Sequence, residues 1–131
     1  MALEPRLWPL VWLGRRADRT DGADWPERRA RDAALARRGG RLVMRPGPDP
    51  ASVDHLFLPV EGGRIRVRVY RPPTVGPHPL FVFLHGGGWC AGGLDERDPR
   101  CRTICVEADC VVASVDYRLA PEHPYPTGPE D

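Results

Sequence analysis

Residues 80–89 read LFVFLHGGGW, and this stretch decides the fold. Its first half, Leu80 to Leu84, is a continuous apolar run between a proline and a glycine cluster. Such a run is typical of a strand that is buried on both faces of a sheet. A second apolar strand candidate, Val111 to Val115, follows about thirty residues later, with a helix candidate between them. Strand, helix and strand in this order form a βαβ unit, so the two strands should run parallel.

The connecting helix is predicted over residues 99–108. Asp98 is a favourable N-terminal cap, and Pro99 suits the first helical position because it needs no hydrogen-bond donor there. The helix has a helically spaced apolar stripe, formed by Cys101, Ile104, Cys105 and Ala108.

Before this unit, in residues 54–70, apolar residues tend to recur at every second position, as they do in a strand with one buried face. Residues 54–60 and 64–70 are two strand candidates around a Glu61-Gly62-Gly63 turn, which indicates a hairpin. In the second strand, arginines alternate with Ile65, Val67 and Val69, as in an antiparallel strand toward the outer side of a sheet, with one buried and one wet face. The predicted class is therefore α/β, with an antiparallel hairpin ahead of the βαβ unit of a mainly parallel sheet.

The N-terminal part is predicted to be helical. Asp24 is a candidate cap, Pro26 suits a first turn, and Gly39-Gly40 should end the helix. Residues 46–50, Pro-Gly-Pro-Asp-Pro, cannot continue a helix and should form a linker. We therefore divide the chain into a helical segment with its linker, residues 1–50, and an α/β segment, residues 51–131.

Composition excludes several classes of protein. The 131 residues suffice for one domain, and no apolar run approaches the ~18–20 residues of a membrane-spanning helix. All 19 basic residues are arginine, and residues 1–45 carry a net charge of +5. Acidic residues are interleaved there and no aromatic-basic pattern accompanies them, so a nucleic-acid partner is disfavoured.

Location and metal binding are constrained by the cysteines and by the start of the chain. The four cysteines include no C-x-x-C pair, which disfavours a structural zinc site. The first sixteen residues lack the small-residue cleavage site of a signal peptide. We expect a reduced, cytoplasmic protein without a metal or other cofactor.

The glycine cluster carries the chemistry. Glycines at the carboxyl end of a strand allow several backbone N–H groups to face one point, where they would stabilise a developing negative charge. An HGGG-type loop does this in lipases and esterases. Together with residues 116–122, DYRLAPE, residues 85–89 closely resemble the hormone-sensitive-lipase-like group of α/β-hydrolase carboxylesterases. The resemblance extends over roughly residues 53–131, so the expected fold is an incomplete α/β-hydrolase fold, of which residues 51–131 would be the N-terminal half. It also implies that residues 1–50 correspond to the helical, cap-like segment of the family.

The resemblance implies hydrolysis of a small-molecule ester by a serine nucleophile, a histidine base and an acidic partner. It assigns Gly87 and Gly88 as donors to the tetrahedral intermediate, with Gly86 shaping the turn. His85 would brace this oxyanion-hole loop rather than act as a base, and Trp89 would line the acyl or alcohol pocket. In the second motif, Arg118 would make internal ion pairs.

The chain departs from the family in its nucleophile. Its only serines, Ser52 and Ser114, lie outside any G-x-S-x-G pattern. We therefore expect the N-terminal part of a serine carboxylic-ester hydrolase that lacks the nucleophile elbow, the acid and the base, and that is inactive alone. The alternative is a non-catalytic module that binds small ligands or acyl groups. Three substitutes for the missing groups are disfavoured: a Cys90 nucleophile, a His123 base, and a metal site of His85, Cys90 and Asp116.

A hydrolase sheet that lacks its elbow strand has a physical consequence. The strand at residues 80–84 would keep an unpaired apolar edge, and such edges recruit other chains. Self-association through this edge is the expected result.

Overall fold

The computed structural model describes residues 24–43 and 46–131. The prediction about a signal peptide concerns residues that lie outside this range. The elements, in chain order, are α1 (Trp25–Val43), β1 (Ser52–Val60), β2 (Gly63–Arg71), β3 (Leu80–Leu84), α2 (Leu94–Glu107), β4 (Val111–Asp116) and α3 (Thr127–Glu130).

The strands form one four-stranded sheet in the order β1-β2-β4-β3. β1 and β2 are an antiparallel hairpin, closed where Val60 faces Gly63. β2 also pairs antiparallel with β4, and β4 pairs parallel with β3. The hairpin, the βαβ unit and the α/β class are therefore confirmed. The outer strand of the hairpin is β1, however, since β2 lies between β1 and β4.

The position of β3 corrects one prediction. Among the described residues β3 pairs with β4 alone, and it is not buried on both faces. Leu80, Val82 and Leu84 are 65%, 54% and 65% exposed. The apolar run correctly indicates a strand that favours burial, but it cannot indicate whether covering elements exist.

The helix α2 begins at Leu94, five residues before the predicted start, and Pro99 lies inside it. Pro99 lacks the N–H for one intrahelical hydrogen bond, yet the burial of Leu94 anchors the additional turn. Asp98 is not a cap. Its carboxylate accepts hydrogen bonds from the hydroxyl of Tyr70 (2.8 Å) and from Nε of Arg102 (2.6 Å), so it ties the helix to β2.

The helix α1 also exceeds its predicted length. It begins directly after Asp24, whose carbonyl accepts the Arg28 N–H at 3.0 Å, but it continues through Gly39-Gly40 to Val43. Glycine weakens a helix interior by about 1 kcal/mol per residue without forbidding it. Residues 46–50 are non-helical, as predicted.

The core lies where α2 packs on β2 and β4. Its buried members are Tyr70, Cys101, Cys105, Cys110 and Val112. All four cysteines of the chain are free, and burial raises the pKa of each of the three core thiols. In the predicted helical stripe, Cys101 and Cys105 are buried and Ala108 is exposed.

Candidate oxyanion site

The glycine loop leaves the carboxyl end of β3 and turns sharply. Gly87 has a φ of 148°, which an L side chain rarely adopts, and a Cβ there would overlap the carbonyl of Ala91. The N–H groups of Cys90 and Ala91 both donate to the Gly87 carbonyl, at 3.2 and 3.0 Å. The turn is therefore closed by two hydrogen bonds to the Gly87 carbonyl, and only glycine fits at this position.

Three consecutive amides of this loop are available to a ligand. Gly86, Gly87 and Gly88 are exposed. Within the described part of the chain, none of their N–H groups donates a hydrogen bond. A Cβ on Gly86 or Gly88 would meet nothing within 4 Å, so open space borders the loop. Unused amide donors beside open space are suited to binding an oxygen anion.

His85 is enclosed behind the loop. Its ring is buried and stacks on Tyr117, with centroids 4.3 Å apart. The Tyr117 hydroxyl donates a hydrogen bond of 2.6 Å to the His85 carbonyl. On another side the ring meets Gly92, where a Cβ would lie 2.5 Å from Nδ1. This packing fixes the end of β3 and leaves the imidazole no access to solvent.

Trp89 follows the glycines and is 59% exposed. Its φ of 57° places a non-glycine residue in the left-handed region. The Trp89 carbonyl accepts a 2.8 Å hydrogen bond from the Ala120 N–H, which joins the glycine loop to the second motif. Its indole lies beside Gly128, at which a Cβ would be 3.2 Å from Cδ1.

The second motif is held by an ion pair, as predicted for Arg118. The Arg118 guanidinium binds Asp131 (2.6 Å to Oδ1), and the Arg118 N–H donates to the same carboxylate at 2.7 Å. The guanidinium also donates to the Glu61 carbonyl in the hairpin turn, at 2.9 Å. Burial alone would raise the pKa of Asp131, but the hydrogen bonds from Arg118 outweigh it, so this pKa lies below its usual value.

Sequence reasoning missed two residues of the site. Arg29 of α1 donates to the carbonyl of Cys90 (2.8 Å) and to that of Ala120 (3.1 Å), and it pairs with Glu122. The hydrogen bond from Arg29 is the main cause that lowers the pKa of Glu122. Nothing distinguishes Arg29 from the other arginines of the N-terminal segment in the sequence. Tyr117 could have been found, since it lies inside the second motif.

The other candidates are placed apart from the amides or are engaged elsewhere. Ser114 is fully buried in β4. On β1, the Ser52 hydroxyl donates a hydrogen bond of 3.1 Å to the Asp54 carboxylate. His123 is exposed, in the loop after the second motif. Across residues 24–43 and 46–131, no three metal-ligating side chains form a cluster, and no helix there is long and apolar enough to cross a membrane.

Comparison with known proteins agrees with this geometry. A family model described as the alpha/beta hydrolase fold matches residues 81–131. The carboxylic ester hydrolase LipN of Mycobacterium tuberculosis is 52% identical over 103 residues, which are 76% of this chain and 27% of LipN. Together these matches support the hormone-sensitive-lipase-like carboxylesterase family of α/β hydrolases for this chain. Carboxylesterase NlhH of the same organism is 59% identical to this chain over 68 residues, 51% of the chain and 21% of NlhH.

Solved structures of related hydrolases support the fold. A hyperthermophilic esterase from the archaeon Pyrobaculum calidifontis superposes with a TM-score of 0.79 at 33% identity, covering 99% of this chain and 41% of that one. The metagenomic carboxylesterase EstE1 gives a TM-score of 0.72 at 38% identity, covering 83% and 36%. This chain thus spans about a quarter of LipN and about two fifths of the solved esterase chains.

Proposed function

We propose that this chain supplies the oxyanion-hole loop of a serine carboxylic-ester hydrolase that acts on small-molecule esters. The observation that carries the proposal is the set of exposed N–H groups at Gly86, Gly87 and Gly88, which donate no hydrogen bond to the described residues. In this role the N–H groups of Gly87 and Gly88 donate to the substrate oxygen, and Gly86 shapes the turn.

The chemistry of the loop follows from where charge develops. When a nucleophile attacks an ester carbonyl, the carbonyl oxygen gains negative charge, and donors already aimed at it stabilise the transition state more than the ground state. Removing one such donor costs about 2.7–4 kcal/mol of transition-state stabilisation. His85 braces the loop from behind, since it is buried against Tyr117, and the exposed Trp89 lines the acyl or alcohol pocket.

We further propose that the chain alone does not hydrolyse esters. These 131 residues contain no G-x-S-x-G motif, one serine is enclosed in β4, and the hydroxyl of the other donates a hydrogen bond to Asp54 on β1. A short-chain p-nitrophenyl ester should therefore be cleaved no faster by the purified chain than by buffer. A fluorophosphonate probe should leave no covalent adduct on either serine. Turnover that disappears in Gly87→Ala, or an adduct mapped within the chain, would overturn this proposal.

A second candidate function follows from the same open amides: a non-catalytic module that binds carboxylates or small acyl ligands. NMR titration with acetate and butyrate discriminates the two. An oxyanion loop alone should give weak, unsaturated shifts at Gly87 and Gly88, because two or three donors to one oxygen provide little binding energy. Saturable binding that strengthens with acyl length would favour the binding module.

The chain alone should also associate with itself, through β3. The N–H of Val111 donates to the carbonyl of Pro79 at 2.9 Å, so the odd-numbered residues of β3 direct their main-chain groups to β4. Those of Leu80, Val82 and Leu84 consequently face outward. The strand reads LFVFL, which is identical in both directions. An antiparallel second copy, related by a two-fold axis at Val82, would pair leucine with leucine and phenylalanine with phenylalanine.

The domain division belongs to the proposal too. Residues 1–50 would act as a cap-like segment and residues 51–131 as part of the hydrolase sheet. The position of α1 supports this division, since it packs on α2 and its Arg29 reaches the glycine loop without adding to the sheet.

A cytoplasmic location is the last part of the proposal. All four cysteines are free thiols, and three of them are buried in the core. Free core thiols are typical of reducing compartments.

A further inference from the structure

The Arg29 side chain joins three segments of the molecule. It extends from α1, and its guanidinium donates to the Cys90 carbonyl at 2.8 Å and to the Ala120 carbonyl at 3.1 Å. The same group pairs with Glu122. The side chain is largely buried, with 18% of its surface exposed. These contacts lie at the end of the glycine loop and on the motif that packs beside it.

The loop needs such a restraint because its backbone is in an unfavourable conformation. Gly88 and Trp89 are consecutive left-handed residues, with φ of 60° and 57°. Glycine adopts this region freely, whereas a large side chain such as that of Trp89 is rarely found there. Trp89 would relax to negative φ unless the peptides that follow it were held, and such a rotation would turn the neighbouring amides.

The two restraints lie on successive carbonyls. The Trp89 carbonyl accepts the Ala120 N–H, and the Cys90 carbonyl accepts Arg29. Arg29 also binds the Ala120 carbonyl, so one planar guanidinium fixes both sides of this junction. A lysine has no fork with which to reach two carbonyls and a carboxylate in one plane. Glu122 orients the guanidinium by accepting from its other amino group.

We propose that Arg29 is a positioning residue for the oxyanion donors: by holding the Cys90 and Ala120 carbonyls, it keeps Trp89 left-handed and the Gly87 and Gly88 amides aligned. This inference rests on the proposed function for the identity of the amides as donors. It adds that a residue of the N-terminal helix, outside both sequence motifs, sets their geometry. Arg29 contacts no reacting atom, so its effect is carried through the loop backbone.

The test is NMR spectroscopy of the full chain and of four variants. Arg29→Met should shift the amide signals of Gly87, Gly88 and Trp89 and should remove the Trp89 coupling constant and carbon shifts that are characteristic of positive φ. Arg29→Lys keeps the charge beside Glu122 but should restore these signals only in part. Arg31→Met is the matched control, since Arg31 is exposed on the same helix and should leave the loop signals unchanged.

The NMR signals distinguish two roles of Arg29: positioning of the glycine loop, and docking of α1 alone. If Arg29 only docks α1, Arg29→Met will move signals of α1 and α2 while Trp89 keeps its positive φ, and the proposal is overturned. Equal loop shifts in Arg31→Met would overturn it as well. Addition of millimolar guanidinium chloride to Arg29→Ala should return the loop signals toward their original positions, whereas sodium chloride should not.

The same samples keep this inference distinct from the proposed function. Acetate titration of the unmodified chain tests whether Gly87 and Gly88 bind an oxygen anion. If acetate causes no shift there, the oxyanion assignment fails, while the coupling constant of Trp89 still decides the role of Arg29.

Discussion

At the scale of single residues, the glycine loop is specified by where side chains cannot fit. Gly87 is required because a Cβ would overlap the Ala91 carbonyl, and Gly92 is required by its contact with His85. Gly86 has neither a positive φ nor a close neighbour. Three glycines that look alike in the sequence therefore have different tolerances, and the motif alone does not rank them.

Gly92→Ala should destabilise the chain by about 1–3 kcal/mol, because the new methyl group would lie 2.6 Å from the Gly86 carbonyl and Gly92 has a φ of 94°. The free energy of unfolding from urea titration is the measurement. Gly86→Ala is the matched control and should change that free energy little. Equal losses for the two variants would contradict this packing argument.

The Arg118–Asp131 pair should make stability depend on pH. The pKa of Asp131 is lowered in the folded chain, so the stabilisation is complete above the unfolded value of about 3.9 and is lost as pH falls through the lower folded pKa. Urea midpoints measured between neutral and strongly acidic pH should fall in the acid range. Asp131→Asn should lower stability at neutral pH and flatten the acid decline; an unchanged acid slope would contradict the assignment.

At the scale of elements, hydrophobic patterns that depend on local burial predict the strands correctly. Helix boundaries that depend on contacts with distant residues are not predicted by the sequence. Alternation in β2 and the apolar run of β4 predicted these strands, and the intervening helix predicted that β3 and β4 run parallel. The start of α2 was misplaced because Asp98 looks like a cap in sequence, whereas its carboxylate binds Tyr70 from another element. The exposure of β3 and the reach of Arg29 likewise depend on partners far along the chain.

Because Asp98 accepts hydrogen bonds from β2 and from its own helix, its removal should strongly lower the free energy of unfolding. Asp98→Ala should cost about 3–5 kcal/mol of stability, because it leaves the Tyr70 hydroxyl and the half-buried Arg68 and Arg102 without their common acceptor. A helix cap alone would contribute only about 1 kcal/mol. Asp49→Ala is the control, since Asp49 is 98% exposed although it also pairs with Arg102. Thermal and urea unfolding of both variants will show whether Asp98 acts only as a helix cap or links α2 to β2.

At the scale of the whole molecule, the sheet has one edge that differs from ordinary protein surface. Both faces of β3 carry large exposed apolar side chains, and its outer main-chain groups have no partner among the described residues. Soluble proteins usually protect such edges with charges, prolines or covering elements. Within β3 itself there is no charge and no proline. The association of the chain should therefore be decided at this edge.

Val82→Pro should abolish self-association while leaving the fold intact. The Val82 N–H faces away from β4, so proline removes no hydrogen bond within the sheet but removes the central donor of the proposed two-fold pair. Sedimentation equilibrium should show a dimer for the original chain and a monomer for the variant. Val82→Thr, which keeps the N–H, is the control and should still dimerise. A monomeric original chain, or a dimer that persists in Val82→Pro, would contradict the edge-pairing model.

The proposed oxyanion site consists of main-chain amides, and this has an evolutionary and a practical consequence. No substitution other than proline can delete an amide donor, so every other mutation can disable this site only by changing the course of the backbone. Selection there would act on shape rather than on functional groups. Engineers could accordingly vary the neighbouring indole at position 89 to alter selectivity while the amide donors themselves stay in place.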